Sequence, residues 1–122
     1  MNKLNRLFDV NERMKAISRQ LDFLNCQLCA VKKTGSEKCK AYYCLSLIKE
    51  KTKSEYNQLC VERLRLYELI SNVKDSNLRT LLEYRYVYLM EYEDIAELTN
   101  YSLRQIMRKM QEAVKEIEKV SA

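Results

Sequence analysis

The chain has 122 residues, 22 Lys and Arg against 17 Asp and Glu, one Gly, no Pro and no His. A length near one ordinary domain with almost nothing to interrupt a helix points to an all-α protein, rich in residues that lose little side-chain freedom in helices. Without histidine the commonest general base and metal-binding nitrogen are missing, and no Gly-rich phosphate loop, catalytic carboxylate pair or nucleophile with its base is present, so no enzyme and no cofactor is expected.

Along the first segment, Leu7, Val10, Met14, Ile17, Leu21, Leu24, Leu28 and Val31 recur at alternating steps of three and four. Such a heptad seam on a charged helix has to be buried against another helix, in the same chain or in a partner. Its length raises the expectation of a homodimer. The N-terminal residues are charged and no long apolar run exists, so neither a membrane span nor a secretory signal is expected and the location is expected to be cytoplasmic.

Residues 32 to 40, KKTGSEKCK, contain the single Gly and read as a loop. A second apolar stripe follows, Leu45, Ile48, Thr52, Tyr56, Leu59, Leu66, Ile70 and Val73, interrupted by Arg63. Residues 1 to 74 are therefore expected to form an antiparallel helical arm, a hairpin or coiled coil. Cys26, Cys29, Cys39 and Cys44 have the spacing C-x2-C-x9-C-x4-C, compatible with a four-thiolate zinc site. Because Cys26 and Cys29 lie inside the heptad helix, buried small apolar thiols account for them too, and no metal is assigned.

The segment SNVKDSN, residues 71 to 77, is rich in cap formers, with Asp75 or Ser76 placed to cap a helix starting near Asn77. Three helix signals follow in close succession, LRTLLEYRYVYL, YEDIAELT and SLRQIMRKMQEAVKEIEKV, as in a compact tri-helical unit over residues 75 to 122. Within it, Ile95, Ala96 and Thr99 face inward, Asn100 stands where a left-handed turn is needed, Tyr101 plugs the turn and Ser102 caps the last helix. Ile106, Met110 and Ala113 continue the inward face. Leu103, Arg104, Gln105, Arg108 and Lys109 then project outward from the first two turns, with no acid between Ser102 and Gln111.

Arg and Gln are the side chains that read guanine and adenine edges, and Lys and Arg neutralise phosphates. The basic excess of the chain nonetheless lies elsewhere: residues 1 to 40 hold nine basic and four acidic groups, residues 75 to 122 seven and nine. Positive potential at the reader therefore depends on local segregation, with Glu91, Glu93, Asp94 and Glu97 kept on the preceding helix.

The stretch LLEYRYVYLMEYEDIAELTNYSLRQIMRKMQEAVKEI resembles region 4 of sigma-70-type factors, as found in small phage and prophage regulators similar to the ArpU and RinA proteins. The resemblance covers about residues 76 to 120. It implies a helix-turn-helix that reads double-stranded DNA through Ser102, Leu103, Arg104, Gln105, Arg108 and Lys109, in a transcription regulator of phage or prophage genes, for which RNA polymerase is a further candidate partner. Asn100 replaces the usual Gly of the turn, and Leu103 stands where sigma factors often place a polar contact. A phage DNA-packaging component of the small-terminase kind, which also joins a helix-turn-helix to helical oligomerisation elements, is the alternative.

Overall fold

A computed structural model describes residues 2 to 35 and 40 to 120. The chain is all-α. A single 3-10 turn, Lys3–Asn5, leads into α1, Arg6–Lys33, and α2, Lys40–Ser71, packs antiparallel to it. Three shorter helices follow and pack together: α3, Ser76–Leu82, α4, Tyr92–Thr99, and α5, Leu103–Val120. Between α3 and α4 the chain makes a π-helical turn, Glu83–Val87.

Two compact units emerge, Val10–Glu62 and a second made of the residues up to Asp9 together with Arg63 onward. In the first, Val10, Met14, Ile17 and Leu59 form a buried cluster, flanked by Leu21, Tyr56 and Cys60. The heptad seam of α1 from Val10 to Leu21 is thus spent on α2. An exposed ion pair, Arg13 to Glu55 at 2.8 Å, ties the two helices and contributes less than about 1 kcal/mol beside the apolar burial. The stripe loosens toward the loop, where Leu28 and Val31 are only half-buried and Ile48 is half-exposed. Helix α1 closes at its C-terminus on Gly35, whose φ of 74° suits a residue without a Cβ. The rest of the expected loop, residues 36 to 39, lies outside the described residues.

The second unit has a core of Leu4, Leu7, Ile70, Val73, Leu78, Leu81, Leu82, Tyr86, Ile95, Ile106, Met110, Ala113 and Ile117. Residues 2 to 9 and 63 to 74, read from the sequence as arm, belong to this unit. The heptad stripe runs on through Leu7 without a break, so periodicity alone does not show that its first position serves a different core. Asn2 caps the opening turn by accepting from the Leu4 N–H at 2.8 Å. It also donates to the Tyr86 hydroxyl at 2.7 Å, pinning the N-terminal segment to the π turn. Asp75 caps α3, accepting from the Asn77 and Leu78 N–H groups as the sequence suggests.

The helix expected across LRTLLEYRYVYL does not continue as α. The Tyr88 N–H reaches back five residues to the Glu83 carbonyl, and the Met90 N–H bonds the Tyr84 carbonyl. Leu89 takes a φ of 58°, which turns the chain into α4 at a steric cost of about 1–2 kcal/mol. What offsets that cost is a clamp around Arg85. Its guanidinium lies 4.3 Å from the Tyr92 ring centroid and 4.9 Å from that of Phe8, and donates to the Met90 carbonyl at 3.0 Å. No helix among the described residues is long and apolar enough to cross a membrane.

Candidate nucleic-acid interface

The turn between α4 and α5 is three residues long and is built from local side-chain chemistry. Asn100 adopts φ 61° and ψ 16°, the left-handed conformation that Asn tolerates better than other side chains. Thr99 donates to the Ile95 carbonyl at 2.7 Å, holding the last turn of α4, and Tyr101 packs half-buried against the core. Ser102 and Gln105 then form a reciprocal cap: the Ser102 hydroxyl accepts from the Gln105 N–H at 3.2 Å and Gln105 Oε1 accepts from the Ser102 N–H at 2.9 Å. These bonds set where α5 begins.

Along α5, Ile106, Met110, Ala113 and Ile117 are buried at steps of four, three and four. Arg104, Arg108, Gln111 and Lys115 repeat the same steps on the exposed side. Opposite faces of one helix thus carry the core anchor and a polar, basic row about 17 Å long. Neither Arg104 nor Arg108 has an ion-pair partner among the described residues, and the first acid on α5 is Glu112. The acids of α4, Glu93, Asp94 and Glu97, are exposed on their own helix.

The six sequence-expected contacts separate into three kinds. Arg104 and Arg108 project from the solvent face one turn apart. Leu103 is exposed at 45 %, beside an equally exposed Met107 at 43 %. Ser102, Gln105 and Lys109 have partners within the fold: the first two cap each other, and the Lys109 ammonium sits 5.0 Å from the centre of the Tyr101 ring. Sequence reading overlooked Met107, Gln111 and Lys115; extending the helical period from Arg104 by seven and eleven residues marks the last two. The thiols Cys26, Cys29 and Cys44 are exposed on α1 and α2, and Cys39 lies outside the described residues. No cluster of three metal-binding side chains occurs among the described residues.

Replacing Ser102 by Ala should lower stability by about 0.5–2 kcal/mol, read from chemical denaturation. Gln105→Glu should keep the cap and the stability while weakening any anionic ligand at this face, a split that Gln105→Ala does not produce.

Burial pushes the Tyr86 hydroxyl above its usual value of 10.0, and the neighbouring Tyr92 adds to the shift, while Arg85 and the Asn2 hydrogen bond oppose it. A raised folded value means that the stabilisation is complete below about pH 10 and is lost as pH rises through the folded value. Tyr86→Phe should therefore lose about 0.5–1.5 kcal/mol at neutral pH, and fall less steeply than wild type in denaturation series extended above pH 10.

Compared with known proteins, the chain matches no family model, no curated relative and no solved structure.

Proposed function

We propose that the chain is a sequence-specific DNA-binding protein that regulates transcription of phage or prophage genes, with α5 entering the major groove as the second helix of a helix-turn-helix. The observation that carries the reading is the acid-free opening of α5, on which Arg104 and Arg108 stand exposed and, among the described residues, without ion-pair partners, at a helix start held by the Ser102–Gln105 cap. A helix presented by its N-terminal turns fits a major groove about 12 Å wide, and guanidinium groups there reach guanine edges. Gln111 and Lys115 continue the row toward the flanking phosphates. Leu103 and Met107 form an apolar margin suited to thymine methyl groups or to a protein neighbour such as RNA polymerase.

Selection of bound sequences from random double-stranded DNA tests the reading. A recovered consensus is expected, with affinity falling steeply as salt rises; three or four neutralised phosphates correspond to a log–log slope near −3. Recovery of no consensus, together with salt-insensitive or absent binding, refutes it. Leu103→Ala separates the polymerase role, lowering transcription from the selected site while leaving DNA affinity nearly unchanged.

A further inference from the structure

Helix α2 carries a second apolar stripe, diametrically opposite the one packed on α1. At 100° per residue, Tyr43, Leu47, Ser54, Val61 and Arg65 fall within about 20° of a single line, while Leu45, Thr52, Tyr56 and Leu59 cluster around the opposite side. The outer stripe is open: Tyr43 is 65 % exposed, Leu47 49 % and Val61 48 %. An outward hairpin face is ordinarily polar, so apolar residues at this spacing call for a partner helix.

The order of residues on the stripe names that partner. Leu47 and Val61 lie seven residues either side of Ser54, Glu50 and Gln58 four, Tyr43 and Arg65 eleven. We propose that this face of α2 packs antiparallel on the same face of a second copy of the chain, with the two-fold axis at Ser54. In that register Leu47 meets Val61 and Tyr43 lies against the Arg65 guanidinium, each contact made twice, as an isologous interface requires. The small Ser54 on the axis allows close approach. From Tyr43 to Arg65 the contact is about 33 Å long, and two helices packed over that length bury on the order of 1,000 Å2, enough for a specific dimer. The α1 seam from Val10 to Leu21 takes no part, because it is packed on α2.

The inference is independent of the DNA reading and is tested on the full chain in the absence of DNA. Sedimentation equilibrium is expected to show a dimer at micromolar concentration. The double variant Leu47→Glu with Val61→Glu should be monomeric with unchanged helix content, since both positions face solvent in the monomer. Leu47→Lys with Val61→Glu should dimerise again, because each new lysine then meets a new glutamate of the other copy. Phe23→Glu, in the exposed groove beside Ile48, should leave the dimer intact. A wild-type monomer at 100 µM on the order-of-magnitude scale of specific association, a double-glutamate variant that still dimerises, or a charge-paired variant that stays monomeric would each overturn it.

Discussion

A chain lacking residues 1 to 8 is expected to lose the fold of the C-terminal unit, and with it every property assigned to α5. Leu4 and Leu7 are fully buried in the same core as Ile95, Ile106 and Ile117. Phe8 packs against Tyr86 in a tilted ring pair with centroids 5.4 Å apart and forms one jaw of the Arg85 clamp, and Asn2 holds the Tyr86 hydroxyl. Removing two fully buried leucines and an aromatic contact costs roughly 5–12 kcal/mol, comparable to the whole stability of about 5–15 kcal/mol that a domain of this size has. The point variant is the graded form of the same test: Leu7→Ala should cost about 2–5 kcal/mol in denaturant unfolding, whereas Phe23→Ala, on the same helix but exposed, should change stability by less than about 0.5 kcal/mol. A fragment beginning at Asp75 should be unfolded in solution for the same reason, since it also lacks Ile70 and Val73. A folded, cooperative 75–122 fragment would show that the N-terminal leucines only decorate a self-sufficient core.

The second large effect is expected at Arg104 and Arg108. Each replaced by Ala should weaken binding to the selected DNA site by about 1–3 kcal/mol, roughly 5- to 150-fold, and blur preference at one or two base pairs. Their exposure, and the lack of ion-pair partners among the described residues, mean that the fold should not notice the change, so circular dichroism and melting temperature should match wild type. Lys109→Ala should differ in kind, weakening all sequences alike and reducing the salt slope by about one unit, because its ammonium rests near the Tyr101 ring at the edge of the row. If the double Arg104→Ala, Arg108→Ala variant, with unchanged helix content, binds the selected site as tightly as wild type, α5 is not the reading helix.

Local chemistry made the C-terminal helices legible from sequence alone. The Asp75 cap, the left-handed Asn100, the Ser102 cap and the inward row Ile106, Met110 and Ala113 are short-range features whose causes lie within a few residues, and the structure has each of them. The heptad stripe likewise announced a long helix with one face to bury. What covers a face is not a local property. Only the tertiary structure assigns Leu4 and Leu7 to the C-terminal core and Val10, Met14 and Ile17 to the hairpin, because one uninterrupted period serves both. Arg85 shows the same limit: a charged residue at its position reads as surface, and three-dimensional packing alone brings Phe8 and Tyr92 against its guanidinium. Gln105 carries the lesson to the interface itself. Its residue type suits a base edge, but the neighbouring Ser102 N–H lies within reach of Oε1, and an open backbone donor at a helix start is satisfied first.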